Sequence, residues 1–203
     1  MLSLNKLGLD PRQEDIIRDI ISHPSGLVLF VGPTGSGKTT TLYSILNELN
    51  TDERKIVTLE DPVEYHIDGI TQIPVVSREG HSFAEKFRAV LRLDPDVIMV
   101  GEIRDTDTAK TALQAALTGH LVLSTYHASS ASAAVTRLLD AIGENPLYAS
   151  AIKLIQAQRL VRRLDNNTKK PIEIDQNLRT LLLCVVDGIE ADVGLSHLQD
   201  SQL

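Results

Sequence analysis

Short apolar runs alternate with amphipathic segments of helix length along most of the chain. Apolar runs of strand length occupy residues 27–31, 55–60, 97–100 and 121–125. Apolar residues that recur at three- and four-residue spacing predict helices at residues 11–22, 38–50, 82–93, 105–117, 131–142 and 147–163. Residues 67–76 are typical of a β-ribbon with Gly69 at its turn. This alternation predicts an α/β fold with a mostly parallel central sheet flanked by helices.

The pattern changes after Arg163, where the periodicity weakens. Residues 165–171 are typical of a polar linker, and residues 177–186 of one short helix or strand. The weak periodicity of the final residues is compatible with partial disorder. We therefore predict one main domain over residues 1–165 and a small carboxyl-terminal tail subdomain over residues 166–203.

The composition favours a soluble intracellular protein. The chain has 203 residues, enough to bury a substantial core, and a net charge of −7 at pH 7. No apolar run approaches the ~18 residues that a membrane-spanning helix needs. Cys184 is the only cysteine, which excludes an internal disulfide and a multi-cysteine zinc site. The negative charge and the scarcity of aromatic residues weigh against a nucleic-acid partner.

A glycine-rich loop lies between the predicted strand at 27–31 and the predicted helix at 38–50. Its sequence, GPTGSGKT at residues 32–39, matches the pattern G-x-x-x-x-G-K-[ST]. Glycines let backbone N–H groups surround phosphate oxygens, and the helix amino terminus adds positive partial charge. We expect Lys38 to reach the β- and γ-phosphates of a nucleotide and the Thr39 hydroxyl to bind Mg²⁺. The predicted nucleotide-binding residues are Gly32, Pro33, Thr34, Gly35, Ser36, Gly37, Lys38, Thr39 and Thr40.

Acidic residues and a histidine follow three further predicted strands. Glu60 and Asp61 follow the second strand, Glu102 the third, and His127 the fourth. Because the carboxyl ends of parallel strands line the ligand crevice, we expect these side chains to face the nucleotide. A generic second NTPase motif would have aspartate at the position of Gly101. Glu102 and the acidic pair must therefore serve the metal and the attacking water.

Plainer interpretations of these residues stay open. Asp61 can belong to a simple turn with Pro62, and Glu102 can pair with Arg104 at the surface. A histidine in a loop, such as His127, is often structural or solvated. Two acidic groups at two strand ends in one phosphate-loop chain favour the functional interpretation.

Five stretches together resemble the secretion-ATPase superfamily, which serves type II secretion, type IV pilus assembly and retraction, and related competence motors. They are similar to the family's phosphate loop, Asp box, second NTPase motif, His box and AQRLVR signature. In the same order they read LVLFVGPTGSGKTTTLYSIL (27–46), VTLEDPVEYHIDGITQ (57–72), FRAVLRLDPDVIMVGEIRD (87–105), LTGHLVLSTYHA (117–128) and AQRLVRRL (157–164). The resemblance covers residues 7–164 and looks closest to the extension-type members, the ATPases of type II secretion and pilus assembly.

The resemblance implies a RecA-like P-loop NTPase domain that works in a homo-hexameric ring and hydrolyses ATP with Mg²⁺. It implies a cytoplasmic protein held at the inner membrane through its partners, an integral platform protein and a cytoplasmic adaptor. Its work would be the polymerisation of pilin-like subunits, with no direct contact to nucleic acid.

By the same resemblance, Glu60, Glu102 and His127 are active-site positions. We expect Glu60 to orient the attacking water and Glu102 to hold Mg²⁺ through a water molecule, although the sequence leaves these two roles open. Arginines near the motifs can act as fingers on a neighbouring subunit or remain solvated. The candidates for sensing the phosphate are Asp61, His120, Arg78, Arg88, Arg92 and Arg104.

Three features depart from the family pattern. The chain starts almost at the ATPase domain, without the family's amino-terminal domain, so it is either a fragment or an unusual short member. We expect reduced turnover and weak ring assembly for this piece alone. Asp165 and Thr168 stand where many extension-type members begin a four-cysteine zinc module, so we expect no structural zinc. The stretch Tyr126-His127-Ala128 replaces the usual Leu-His-Thr but keeps the histidine.

The motifs and the composition bear on three candidate functions. A mechanical ATPase for pilus or secretion machinery fits all five stretches. A RecA-like DNA motor is disfavoured by the negative charge and the absence of a basic stripe. A nucleotide-binding assembly module with little turnover stays open.

Overall fold

Every strand pairing in the described part of the chain is parallel. The computed structural model describes residues 3–75, 83–165, 167–171, 175, 176 and 180. The strands are β1 (Gly26–Val31), β2 (Ile56–Glu60), β3 (Thr71–Pro74), β4 (Val97–Ile103), β5 (Leu121–Tyr126) and β6 (Ile152–Ala157). They form one sheet in the order β3-β2-β4-β5-β1-β6. The predicted α/β fold with a parallel central sheet is confirmed.

Helices cover both faces of this sheet. They are α1 (Pro11–Ser22), α2 (Lys38–Leu49), α3 (Phe83–Leu91), α4 (Thr106–Leu117), α5 (Ala131–Ile142) and α6 (Pro146–Ala151), with a short 3-10 turn at Leu4–Lys6. Apolar residues of α3, α4 and α5 pack in one core cluster, and those of α1 and α2 pack in another. None of the described helices is long and apolar enough to cross a membrane.

The two clusters meet the two faces of each central strand. In β1, Leu27, Leu29 and Val31 belong to the first cluster, whereas Val28 and Phe30 belong to the second. Successive side chains of a strand point to opposite faces, so a strand covered on both sides is apolar at nearly every position. This explains why the apolar runs in the sequence are continuous rather than alternating.

The helix predicted for residues 147–163 is wrong beyond Ala151. Pro146–Ala151 form the short helix α6, and Ile152–Ala157 form β6, which pairs in parallel with β1 at the edge of the sheet. Strand formation there depends on backbone pairing with a distant segment, which the local spacing of apolar residues does not reveal.

The β-ribbon predicted for residues 67–76 is also wrong. Gly69 does lie in a turn, with φ of +84°. The segment that follows it, Thr71–Pro74, is a single strand paired in parallel with β2. A turn followed by a short segment of strand length gives the same local signal whether that segment pairs back on the residues before the turn or with a strand elsewhere in the sheet.

Contacts within the chain divide it between Leu160 and Val161. All the helices and strands named above precede that point. In the second unit, Asp165 Oδ1 accepts a hydrogen bond from Asn167 N at 2.9 Å, and Oδ2 accepts one from Thr168 Oγ1 at 3.3 Å. Most of residues 166–203 lie outside the described residues, so the tail subdomain and the boundary at residue 165 stay predictions.

Candidate active site

One open cleft at the carboxyl edge of the sheet collects most of the predicted chemistry. Its lining residues come from the loop after β1, the start of α2 and the ends of β2, β4 and β5; they include Thr34, Gly35, Lys38, Thr39, Glu60, Asp61, Glu102, Arg104 and His127. Its volume of about 350 Å³ does not set it apart, because two other clefts measure about 370 and 350 Å³. The side chains that line it do.

The glycine-rich loop holds its backbone in conformations that favour glycine. The φ angles are +77° at Gly35 and +86° at Gly37, which is the residue before α2. Gly37 offers no side-chain acceptor, so the first N–H groups of α2 lack a side-chain cap. Uncapped N–H groups at a helix start attract anions. The loop therefore has the backbone geometry expected for a phosphate site.

Two side chains of the loop are also suited to an anion. Lys38 is buried, and its ammonium donates hydrogen bonds to the carbonyl oxygens of Gly32 at 3.0 Å and Pro33 at 2.9 Å. Burial lowers the pKa of Lys38, while the charge of Glu102 opposes that effect. The Ser36 hydroxyl is buried and has no hydrogen-bond partner among the described residues. A bound phosphate would satisfy such donors.

Gln158, which follows β6, contacts residues on both sides of the glycine-rich loop. Its backbone N donates to Val31 O at 2.8 Å, and its side-chain Oε1 accepts from Thr41 Oγ1 at 3.0 Å. A Cβ added at Gly37 would lie 2.9 Å from Gln158 Nε2, and one at Gly32 would lie 2.6 Å from Gln158 O. The backbone of Gln158 therefore leaves no room for a side chain at Gly32, and a side chain at Gly37 would require the Gln158 side chain to move.

Arg159 extends this support to the loop after β5. Its guanidinium donates to Gln158 O at 2.8 Å and to Ser129 O at 2.6 Å. Sequence reasoning gave neither Gln158 nor Arg159 a role beyond membership of the AQRLVR signature. A correct prediction of β6 would have placed both at the carboxyl edge, since they follow that strand directly.

Glu60, at the end of β2, is buried and accepts three hydrogen bonds. Thr58 Oγ1 lies 2.5 Å and Gln72 Nε2 3.3 Å from its Oε1, and the Tyr43 hydroxyl donates to its Oε2. The pKa of Tyr43 is raised well above its ordinary value, first by burial and then by this hydrogen bond. Sequence reasoning did not anticipate Tyr43, which lies on α2 and has no motif of its own.

Glu102 lies between a guanidinium group and an imidazole ring. Its Oε1 pairs with Arg104 Nη2, and its Oε2 lies 3.3 Å from His127 Nε2. Burial alone would raise the pKa of Glu102, but Arg104 and then His127 outweigh it, so that the pKa is lowered. Arg104 also has its Nη1 3.7 Å from Asp61 Oδ2. The surface pairing of Glu102 and Arg104 that the sequence left open does occur, and both still line the cleft.

Gly101 explains why no aspartate follows the apolar part of β4. A Cβ at this position would lie 3.3 Å from Leu59 O and 3.6 Å from the Cα of Glu60. The first of these distances is tighter than an ordinary van der Waals contact, whereas the second is ordinary. The close approach of β4 to β2 thus favours glycine here, and the acidic group falls at Glu102.

Arg137 holds the loop that carries His127. Its Nη1 donates to His127 O at 2.5 Å, and its guanidinium lies 5.7 Å from the centre of the Tyr126 ring. The sequence gave no signal for Arg137, because it comes from α5 and belongs to no motif used above.

The structure does not bring every candidate to the cleft. His120 precedes β5 and so lies at the opposite, amino edge, where its carbonyl oxygen accepts a hydrogen bond from Gly26 N at 3.1 Å. Arg88 on α3 and Arg92 just after it are exposed and do not line the cleft. Arg78 lies outside the described residues. Thr40 is exposed on α2 and does not line the cleft either.

A parallel sheet with a phosphate-type loop after one central strand and carboxylates at the ends of its neighbours defines a RecA-like α/β fold. Within that class, the chain belongs to the family described as Type II/IV secretion system protein, whose model matches residues 1–194. The membership expected from the five stretches is confirmed.

Relatives of known name are similar over most of this chain. It is 58% identical over 163 residues to the putative type II secretion system protein E of Escherichia coli, covering 80% of this chain and 33% of that protein. It is 52% identical over 180 residues to the type II secretion system ATPase E of Vibrio cholerae, covering 89% and 36%. The chain therefore spans about a third of the length of these relatives.

A solved structure agrees with this membership. The crystal structure of the pilus retraction motor PilT with bound ADP superimposes with a TM-score of 0.71 at 38% identity. The match covers 79% of this chain and 49% of that one.

Proposed function

We propose that this chain binds and hydrolyses Mg-ATP in the carboxyl-edge cleft and is the ATPase domain of a motor for type II secretion or type IV pilus assembly. The observation that carries the proposal is the meeting of Lys38 with Glu60, Glu102 and His127 in one cleft. The relative from Vibrio cholerae is named an ATPase, and the PilT structure contains ADP. These names also favour adenine over guanine nucleotides. This preference rests on the names alone, because none of the residues assigned above distinguishes one base from the other.

Lys38 and the start of α2 would hold the phosphates. The Lys38 ammonium has three donors, of which two contact loop carbonyl oxygens. These contacts keep the ammonium at the loop, from which it would turn to the β- and γ-phosphates. The first N–H groups of α2 and the Ser36 hydroxyl would supply the remaining hydrogen bonds.

Thr39 and Glu102 fit the requirements of Mg²⁺. A hydroxyl and a carboxylate are oxygen ligands of the kind this ion prefers, and it usually keeps several waters, so few protein ligands suffice. Both side chains line the cleft, and the lowered pKa of Glu102 keeps its carboxylate charged at neutral pH. When bound, Mg²⁺ would neutralise charge on the phosphate oxygens.

Glu60 would orient the attacking water. Glu102 acts electrostatically on Lys38, which supports the assignment of Glu102 to the metal side of the cleft and leaves Glu60 for the water. His127 lines the cleft, is half-exposed and has its Nε2 3.3 Å from Glu102 Oε2. From this position its imidazole would contact the γ-phosphate and respond to its loss. Arg104 is exposed beside Glu102 and Asp61 and is the best-placed arginine among the candidates described.

The assembly is proposed from the resemblance of the five sequence stretches to the secretion-ATPase superfamily. We infer a homo-hexamer at the cytoplasmic face of the inner membrane, acting through an adaptor on an integral platform protein, without direct contact to nucleic acid. In such a ring, Arg88 and Arg92 would act only at a neighbouring subunit's nucleotide, because neither lines the cleft of its own chain.

Glu102→Gln tests the function against a module that binds nucleotide without turnover. In a hydrolysing motor this variant should still bind ATP, because Lys38 and the phosphate loop are unchanged, while phosphate release falls about 100-fold or more because the carboxylate charge on the metal side is lost. Glu144→Gln, which removes one exposed acidic charge outside the cleft, should change neither quantity. Equal phosphate release by the unaltered protein and Glu102→Gln would contradict the proposal and favour the binding module.

A further inference from the structure

The carboxylate of Glu60 has one hydrogen-bond acceptor position that none of its three donors occupies. A carboxylate offers about four lone-pair positions, two on each oxygen. Thr58 and Gln72 donate to Oε1, while Tyr43 donates to Oε2. Among the described residues, no second partner reaches Oε2, so this oxygen retains one position for another donor.

Tyr43 is itself held in place, so the direction of its hydroxyl is fixed. Its ring is fully buried and stacks on Tyr65 with 4.5 Å between ring centres and 28° between planes. Its hydroxyl oxygen accepts a hydrogen bond from Glu64 N at 3.2 Å. Because that N–H can only donate, the hydroxyl proton is free to be donated to Glu60. Burial raises the pKa of Tyr43, which keeps this proton in place at neutral pH.

Tyr43 also connects Glu60 to the helix that begins at the phosphate loop. Thr39 and Tyr43 are four residues apart on α2, and residues at this spacing lie on the same face of a helix. The helix that would bind phosphate and metal at its first turn therefore fixes Glu60 from its next turn.

We propose that Tyr43 is a positioning residue for hydrolysis: its hydroxyl fixes Glu60 so that the remaining acceptor position on Oε2 receives the attacking water. This inference rests on the proposed function and on the assignment of Glu60 to the water. The water oxygen bonds to the γ-phosphorus as the bond to the bridging oxygen breaks, and that oxygen leaves on ADP. The proton next to Oε2 passes to Glu60, giving ADP, HPO₄²⁻ and a protonated carboxyl group that returns its proton to solvent.

Tyr43→Phe is the direct test, because it keeps the buried ring and removes only the hydroxyl. Tyr148→Phe, at a half-buried tyrosine on α6 outside the cleft, is the matched control. The measurements on the full chain are kcat and KM for Mg-ATP, affinity for a non-hydrolysable ATP analogue, and the thermal midpoint. Amide hydrogen exchange at Glu64 provides a reading that needs no turnover.

The expected result is a loss of about 10- to 100-fold in kcat, the size that a small misplacement of a catalytic group produces. KM and analogue affinity should stay within about twofold, because the phosphate loop is unchanged. Exchange at Glu64 should be faster, since its N–H loses its acceptor. In a Glu60→Gln background, Tyr43→Phe should cost little more, because the two residues act through one group.

An unchanged kcat in Tyr43→Phe, or losses that multiply fully in the double variant, would overturn the inference while leaving the proposed function intact. The inference would also be overturned if Tyr148→Phe lowered kcat and the thermal midpoint as much as Tyr43→Phe does, since the loss of activity would then reflect only a loss of stability. Absence of turnover in the unaltered protein would overturn the proposed function as well, and that outcome is recognised from the unaltered sample alone.

Discussion

Glu102 Oε2 lies 3.3 Å from His127 Nε2, in a contact that joins β4 to the residue after β5. The other oxygen of Glu102 pairs with Arg104. The two neighbours favour the charged form of the carboxylate, which suits its proposed place beside Mg²⁺, and the carboxylate still lines the cleft. Glu102, which the sequence suggests both by its place after an apolar run and by the family resemblance, is thus joined to Arg104 and His127.

This cluster predicts a pH-dependent part of the stability. The pKa of Glu102 is lowered in the folded chain, where burial is outweighed by Arg104 and His127. Its contribution is therefore fully present above the ordinary glutamate pKa of about 4.3 and is lost as pH falls through the lowered folded value. We expect the free energy of unfolding of Glu102→Gln to fall below that of the unaltered protein at pH 6 by about 1 kcal/mol or less, because the pair is partly exposed.

Urea unfolding of both proteins between about pH 6 and pH 3 tests this, since that window runs from above the ordinary glutamate pKa to below it. The difference between them should shrink towards the acid end. A difference that stays constant across the window would show that the charge of Glu102 plays no part.

Gly37→Ala should destabilise the protein more than an equally strained glycine elsewhere. Gly37 has φ of +86°, and its added Cβ would lie 2.9 Å from Gln158 Nε2. Gly8 has φ of +78° and nothing within 4 Å of its added Cβ. We expect about 1 kcal/mol for Gly8→Ala, the cost of the left-handed conformation alone, and a clearly larger loss for Gly37→Ala, measured by urea unfolding. Equal losses would mean that Gln158 moves aside without cost.

Arg137→Ala should slow hydrolysis while changing stability little. The variant removes the hydrogen bond to His127 O and the contact with the Tyr126 ring. At an exposed site that contact contributes about 0.5–1 kcal/mol, so the free energy of unfolding should fall by about that much. We expect kcat for ATP to fall several-fold because the His127 loop loses its support. The control is Arg12→Ala on α1, an exposed arginine remote from the cleft. An unchanged kcat in Arg137→Ala would show that β5 alone positions His127.

The parts of the fold with strong local signals could be predicted from the sequence. β1, α2 and the loop between them follow from an apolar run, a glycine-rich pattern and a periodic segment that adjoin one another. Glu60 and Glu102 could be placed because the ends of parallel strands converge at one edge, whatever the order of the strands. These predictions needed no knowledge of distant contacts.

The remaining features depend on contacts that no local pattern contains. β6 is a strand because β1 offers it a free edge, and Gln158 reaches the phosphate loop only because β6 lies beside β1. Tyr43 reaches Glu60 from a different element. His120 differs from these residues, because it precedes β5 and therefore lies at the amino edge of the sheet. The sequence alone was sufficient to exclude it from the cleft.

The measurement that tests the central claim most directly is phosphate release from the purified protein with Mg-ATP, with oligomer mass determined on the same sample. Lys38→Ala is the test variant, and Lys110→Ala, at an exposed lysine on α4 outside the cleft, is its control. We predict turnover in the unaltered protein and in Lys110→Ala, its loss in Lys38→Ala, and a rise in turnover with the fraction of hexamer. Equal phosphate release by Lys38→Ala and the unaltered protein, or hexamers that release none, would contradict the account.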